Sequence, residues 1–239
     1  MPDISVLAVC AAIIFAGSAV QGSVGFGMGL AAVPVLLRFL APTTVTPLIT
    51  GLAIVMNLSI FLKLRHDADW SLIRPLLIGS FVGVVPGSLL PSALPLSVFK
   101  MGTGVLVIVS GVLLWLGWRC SIERKSLRFC VGALSGFLNG CISLSGPPVA
   151  IFLSAGDVPK NVFRASMSAY FLSLNIATMA VFAGEGILDV PYFALLGCLA
   201  PVTALGTLSG VCLSRLFPER IFRAAVMVLI IVSGLTLLF

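Results

Sequence analysis

Two apolar stretches of the chain contain short runs that should interrupt a helix, and both runs carry groups that bind anions. Residues 21–29 include four glycines, and residues 139–148 end in Ser-Gly-Pro-Pro. A helix interrupted in lipid leaves backbone N–H and C=O groups without partners, so membrane proteins tolerate it only in buried or water-lined places. Matching interruptions in two halves of a chain are typical of a transporter's substrate site.

The second run predicts that a half-helix begins inside the membrane, near Ser145. A serine or glycine before proline is typical of a helix start, since the first turn does not need proline's missing N–H. The free N–H groups and the positive dipole end of such a helix hold carboxylate, sulfate-like or phosphate groups without a lysine. In the first run, the bare glycine backbone lets a ligand approach N–H groups closely.

The predicted substrate-binding residues are the two runs, two mid-span asparagines and one arginine that begins the span after the second run. The competing interpretations are glycines that only pack helices, amides that only bond across helices, and an arginine that anchors at the lipid interface. The predicted set is Gln21, Gly22, Ser23, Gly25, Gly27, Gly29, Asn57, Asn139, Gly140, Ser143, Ser145, Gly146, Pro147, Arg164 and Asn175.

The composition places the chain in a membrane. It has 239 residues, of which 59% are hydrophobic and 9% are charged, against about 25% charged residues in soluble domains. The N-terminus lacks the basic region of a signal peptide, so we expect the first apolar segment to be retained. An all-α polytopic protein follows, because most uncharged stretches approach the roughly 20 residues that cross a bilayer: 4–37, 39–62, 75–99, 101–118, 129–155, 165–184, 190–214 and 224–239.

An internal repeat relates the two halves. An offset of 118 residues superposes Gln21 on Asn139 and Asn57 on Asn175, and residues 107–111 match residues 230–234 at a slightly larger offset. Each half then holds one broken or re-entrant segment followed by three plain spans. The predicted domains are a first transmembrane repeat, a cytoplasmic linker and a second transmembrane repeat: 1–119, 120–128 and 129–239.

The loop charges favour inverted topology of the two repeats. If the segment 129–155 enters the membrane, breaks and returns, the basic loops lie inside by the positive-inside rule and acidic Glu185 and Asp189 lie outside. Three full spans per half then give the halves opposite orientations. Eight simple crossings are the competing count.

Several chemistries have no residues to support them. No Asp, Glu, Lys, Arg or His lies deep in a full span, so the buried carboxylates of many proton-coupled carriers and cation sites are missing. The single histidine, His66, is in a charged loop, and the six cysteines lack metal-ligand spacing. The chain also lacks a catalytic triad, a zinc-protease motif and a P-loop, which predicts no enzyme activity and no cofactor.

The chain resembles the TauE/SafE-type sulfite exporter family, also called the toluene sulfonate uptake permease family. The resemblance spans almost the whole chain and rests on five features: Gly22–Gly29 followed by Pro34, Gly132-Ala133-Leu134-Ser135-Gly136, Ser145-Gly146-Pro147-Pro148, Lys160 with Phe163-Arg164-Ala165-Ser166, and Asn175. It implies a duplicated multi-span carrier that moves sulfite, sulfonates or related small organic anions across the bacterial inner membrane.

The expected function is a secondary transporter of a small sulfur-containing anion that works by alternating access. Its expected partners are that anion and membrane lipid, with H⁺ and Na⁺ both open as coupling ions, and no nucleic acid is expected. A passive anion channel and a structural membrane subunit are the alternatives.

Overall fold

The computed structural model describes residues 4–116, 125–154, 159–188 and 190–216. Several sequence predictions lie outside these residues: the last span (224–239), most of the linker, Cys120 and Asp189. The last four linker residues, 125–128, form the first turn of a helix.

The described part of the chain is all-α, with ten α-helices, one 3₁₀ turn at Arg65–Asp67 and no strand. The first half contains α1 to α6, of which α5 is a single short turn, and the second half contains α7 to α10. Their bounds are Ile4–Val24 (α1), Met28–Leu36 (α2), Pro42–Leu64 (α3), Trp70–Ser88 (α4), Leu90–Ala93 (α5), Leu96–Trp115 (α6), Lys125–Ile142 (α7), Gly146–Ser154 (α8), Lys160–Gly184 (α9) and Val190–Leu216 (α10).

Five helices among the described residues are long and apolar enough to cross a membrane: α1, α3, α4, α9 and α10. The helices α6 and α7 contain shorter apolar stretches, Leu96–Ser110 and Ser126–Ile142. Two nine-residue helices, α2 and α8, are too short to cross alone. Each follows directly on a longer helix, as expected for interrupted segments.

Local chemistry fixes where the spanning helices begin. Pro42 occupies the first turn of α3 after an extended Ala41, a position where the missing proline N–H costs nothing. At the start of α4, the Asp69 carboxylate accepts hydrogen bonds from the backbone N–H groups of Ser71 and Leu72 and from the Ser71 hydroxyl. The Ser71 hydroxyl, with help from these N–H groups, lowers the pKa of Asp69 and so keeps the cap ionised.

The broken segments of the two halves pack against each other's spans. Helix α1 lies against α10, and α7 lies against α4, while α3 packs on α9. The first two pairs are very close, since a Cβ added at Gly22 or Gly140 would collide with a backbone carbonyl of the neighbouring helix. Small residues permit this approach in membrane bundles, and it holds the ends of α1 and α7 in fixed positions.

Candidate substrate site

The first interruption is narrower than the sequence predicts. Helix α1 continues to Val24, and only residues 25–27 separate it from α2. Gly25 (φ 96°) and Gly27 (φ 114°) both have the positive φ that disfavours every residue with a Cβ. Two glycines therefore let the chain leave α1 and begin α2 within three residues.

The second interruption is equally short but is held by side chains. Residues 143–145 separate α7 from α8, and Ser143 has a left-handed φ of 54°. Its hydroxyl lies 2.8 Å from the carbonyl oxygen of Thr46 and 2.6 Å from the hydroxyl of Thr50, both on α3. The Ser135 hydroxyl donates to the carbonyl oxygen of Ser145 at 2.8 Å. These bonds anchor the second interruption to neighbouring helices.

The two interruptions meet. A Cβ added at Gly29, in the first turn of α2, would lie 2.6 Å from the carbonyl oxygen of Ser143. On the other side, a Cβ at Gly146 would touch the Phe26 side chain at 3.4 Å. The N-terminal ends of α2 and α8 therefore converge on one point between the halves.

A cavity lies at this point, with a volume of about 30 Å³, where one water needs about 10–15 Å³. It is lined by ten predicted residues: Gln21, Gly27, Gly29, Asn57, Asn139, Ser143, Ser145, Gly146, Pro147 and Asn175. Its other lining residues are Phe26, Met28, Leu30, Ile49, Ala53, Leu144 and Phe171. None of these lining residues carries a charge, so the polar part of the wall consists of amides, hydroxyls and backbone.

Three predicted residues lie at helix contacts instead. Gly22 faces the backbone of Thr207, and Gly140 faces the backbone of Val84. The Ser23 hydroxyl lies 2.8 Å from the carbonyl oxygen of Ala19 and 2.7 Å from that of Gly210. These positions agree with the alternative that small residues here allow helices to pack closely. A role of the three residues in substrate binding stays a prediction.

Gly25 and Arg164 lie together beside the cavity rather than in its wall. The Arg164 guanidinium donates to the carbonyl oxygen of Gly22 at 3.3 Å, and its Cγ lies 4.0 Å from a Cβ added at Gly25. Gly22 is in the last turn of α1, where carbonyl groups lack intrahelical donors. A cation at this negative helix end stabilises it. Arg164 thus contacts the end of α1.

The four buried amides form two equivalent pairs. Gln21 donates to Asn57 at 3.5 Å and Asn139 donates to Asn175 at 3.1 Å, each across 36 residues. The offset of 118 residues relates the two pairs. Asn139 also donates to the Thr178 hydroxyl at 2.8 Å, and Gln21 accepts from the backbone N–H of Met28 at 3.3 Å. All four amide residues line the cavity.

Several backbone N–H groups of the two interruptions, which the sequence analysis expected to bind the anion, donate instead to carbonyl groups of the preceding helix. Gly25 donates to Gln21, Ser143 to Asn139 and Leu144 to Leu138. Residue 22 lies inside α1. The remaining backbone donors at the cavity belong to the first turns of α2 and α8, where N–H groups have no intrahelical acceptor.

Sequence reasoning missed the apolar part of the wall and the hydroxyls behind it. Thr178 follows Asn175 by three residues and Ala53 precedes Asn57 by four, so helical spacing places both beside a predicted amide. From α3, the Thr46 hydroxyl bonds to Cys141 at the end of α7 and the Thr50 hydroxyl bonds to Ser143. From α7, the Ser135 hydroxyl bonds to Ser145. Nothing in the sequence pairs the two threonines with residues 95 and 93 positions away, whereas the contact of Ser135 with Ser145 spans only ten positions. Phe171 carries no sequence signal for its position.

The model of the sulfite exporter TauE/SafE family matches residues 9–237. The chain belongs to this family. The match spans nearly the whole chain, and it confirms the resemblance carried by the glycine run, Ser145-Gly146-Pro147-Pro148 and Asn175. The chain is therefore a multi-pass membrane protein of a transporter family. No curated protein and no solved structure gave a match.

Proposed function

We propose that this TauE/SafE family member is a secondary transporter that carries a small sulfur-containing anion, such as sulfite or a sulfonate, across the bacterial inner membrane. The anion binds between the two interruptions. Rocking of one half against the other exposes the site alternately to the two sides. The gradient of the anion or a coupling ion, H⁺ or Na⁺, drives the movement.

The convergence of the two interruptions carries this proposal. The positive ends of α2 and α8 point into one cavity whose described lining holds amides and hydroxyls but no charged side chain. Helix N-termini attract anions, whereas a cation would need carboxylates or several carbonyl oxygens. No group of three or more His, Cys, Asp or Glu residues suited to a metal occurs in the described ranges. An anion is the ligand that suits this wall.

Inverted orientation of the two halves is supported by the contacts at the ends of α4. At its start, the Asp69 N–H donates to the Ser166 hydroxyl near the start of α9. At its other end, the Ser88 hydroxyl donates to the Glu185 carboxylate just after α9. The turn that follows α3 and the turn that follows α9 thus lie about 28 Å apart, at opposite ends of the 19-residue α4. Single cysteines replacing His66 and Gly186 should accordingly be labelled from opposite sides of the membrane.

Flux through liposomes that contain the purified protein tests the function. We expect saturable uptake of sulfite or methanesulfonate that is stimulated by the same anion inside the liposomes. Acetate should compete poorly. Ohmic single-channel currents would instead identify a passive channel. The absence of flux for every sulfur anion would contradict the proposal and favour a structural membrane subunit.

A matched pair of glycine variants connects that flux to the cavity. Gly146→Leu places a bulky side chain against Phe26 in the cavity, whereas the new Cβ of Gly197→Leu on α10 meets no atom of the described residues within 4 Å. We expect Gly146→Leu to reduce flux at least about 100-fold and Gly197→Leu to retain it, with equal amounts of both in the membrane. Equal flux in the two variants would show that the substrate site is not in this cavity.

A further inference from the structure

The two helix N-termini at the cavity are not equivalent. The offset of 118 residues relates Met28, the first residue of α2, to Gly146, the first residue of α8. The backbone N–H of Met28 donates to the Gln21 side-chain oxygen at 3.3 Å. The N–H of Gly146 donates to no residue in the described part of the chain, although Asn139 is the counterpart of Gln21.

A chain of hydrogen bonds occupies the first-half amides. Gln21 accepts from Met28 and donates to Asn57 Oδ1, and Asn57 Nδ2 donates to the Ala53 carbonyl oxygen at 2.8 Å. A backbone N–H can only donate and a carbonyl oxygen can only accept, so both ends of the chain fix the amide orientations. The result is an internal cap, in which a side-chain oxygen takes the place that an anion would have on α2.

The second-half amides are oriented the other way by the same logic. The Thr178 hydroxyl donates to the Leu174 carbonyl oxygen at 2.9 Å, so its oxygen accepts from Asn139. Asn139 therefore presents its Nδ2 here, and the same nitrogen donates to Asn175 Oδ1 at 3.1 Å. Asn175 Nδ2 is left with no acceptor among the described residues. Only 3% of Asn175 is exposed, yet it lines the cavity.

An uncapped helix N-terminus and an unused buried amide donor thus lie at the wall of one cavity, both in the second half. A buried N–H donor without an acceptor is costly, and the cost disappears when a ligand oxygen accepts from it. Hydrogen bonds from such donors to a charged oxygen are stronger than those to a neutral one.

No residue of the described lining carries a charge, which limits the charge that this site can hold. The N-terminus of α8 supplies roughly half an elementary charge. The nearby cation, Arg164, lies on the end of α1 and outside the cavity wall. The cost of removing an ion from water rises with the square of its charge, so a buried dianion requires compensation that these neutral donors do not provide.

We infer that the transported species is a monoanion, with an oxygen held by the Gly146 N–H and Asn175 Nδ2, while Gln21 excludes it from the N-terminus of α2. The inference rests on the proposed function and specifies the charge of its substrate and the half that binds it. Hydrogen sulfite and organosulfonates have the required charge, and sulfate does not.

Calorimetric titration of the purified full-length protein in detergent with methanesulfonate and with sulfate tests the inference. The two anions are tetrahedral and of similar size, but one carries a single charge and the other two. We expect methanesulfonate to bind at least about tenfold more tightly than sulfate. Sulfate affinity equal to or above that of methanesulfonate would overturn the monoanion assignment.

Variants of the two asparagines test the one-sided site. Asn175→Leu should weaken methanesulfonate binding at least about tenfold, the effect of losing one hydrogen bond to a charged group. Asn57→Leu should weaken it by a clearly smaller factor. Asn175→Asp keeps the side-chain volume and should also lower the affinity for methanesulfonate at least about tenfold. This second variant tests the site even if the leucine variant does not fold. Ser173→Ala, on α9 but outside the lining, is the folded control.

The outcomes separate the inference from the proposed function. Equal losses in Asn57→Leu and Asn175→Leu, with wild-type binding and flux intact, would overturn the one-sided site and leave the transporter in place. Unchanged affinity of Asn175→Asp for methanesulfonate would also overturn the one-sided site and leave the proposed transport function in place. A wild-type protein with neither binding nor flux for any sulfur anion would overturn both.

Discussion

The two interruptions occupy equivalent places in the two halves, yet they are built from different chemistry. Residues 25–27 turn by means of two glycines with positive φ, and Arg164 covers the end of the helix before them. Residues 143–145 turn through Ser143, which has a left-handed φ and a hydroxyl that contacts α3. At the end of α7, the Thr46 hydroxyl donates to the Cys141 carbonyl oxygen.

This difference shows that a shared backbone path does not require shared hydrogen bonds. In the first half, the polar groups satisfy one another: Gln21 caps α2. In the second half, the hydroxyls stabilise the turn, and the amide pair and the helix end keep donors directed to the cavity. In the proposed account, the first interruption is therefore a structural support and the second one binds the anion.

The largest effect should follow from separating the two interruptions. Gly29→Val would force a side chain into the space of the Ser143 carbonyl oxygen, 2.6 Å from the new Cβ. We expect flux to be lost and the free energy of unfolding to fall by about 1–3 kcal/mol, measured by liposome uptake and by thermal unfolding in detergent. Gly102→Val, whose Cβ meets no atom within 4 Å in the described ranges, should retain flux. Wild-type behaviour of Gly29→Val would show that the interruptions do not touch.

A smaller effect should distinguish the two helix-end contacts. Arg164→Met removes a cation from the C-terminal end of α1 and should lower the free energy of unfolding by about 1–2 kcal/mol. Thr46→Val removes a neutral hydrogen bond of 3.2 Å to Cys141 and should cost about 0.5–1 kcal/mol. Thermal unfolding of both variants at low ionic strength measures the difference. A larger loss in Thr46→Val would contradict the assignment of Arg164 to the end of α1.

The smallest difference concerns the turns themselves. In Gly25→Ala the new Cβ has room, but an alanine disfavours the positive φ at this position. Backbone strain alone should therefore lower the free energy of unfolding by about 1–2 kcal/mol. Ser143→Ala keeps the backbone and loses the hydroxyl contacts with Thr46 and Thr50. The Thr50 hydroxyl retains its bond to the Thr46 carbonyl oxygen, so we expect a cost of about 1 kcal/mol. Denaturation midpoints of the two variants test this order. If the serine variant were the less stable one, side-chain bonds rather than backbone geometry would control both turns.

The sequence predicts the two interruptions and the four amides, but not the contacts that pair the amides. Glycine and proline inside apolar segments indicate where a helix must stop, and the repeated offset linked Gln21 to Asn139 before any contact was known. The match of the TauE/SafE family model confirmed the family that those residues suggested.

Sequence reasoning could not separate packing glycines from cavity glycines. Gly22 and Gly27 both leave the backbone bare, and only the position of Thr207 on α10 shows that Gly22 packs against another helix. It also could not assign the backbone donors, since a turn consumes the N–H groups of Ser143 and Leu144. The partner of Arg164 is 142 residues away, a separation that no local pattern encodes.

Anomalous diffraction from crystals of the full-length protein grown with selenite, a heavier analogue of sulfite, tests the central claim most directly. We predict one selenium peak in the cavity, with an oxygen within hydrogen-bonding distance of the Gly146 N–H and Asn175 Nδ2. A peak at the N-terminus of α2 with Gln21 displaced, or an empty cavity with selenium bound elsewhere in the protein, would contradict the account.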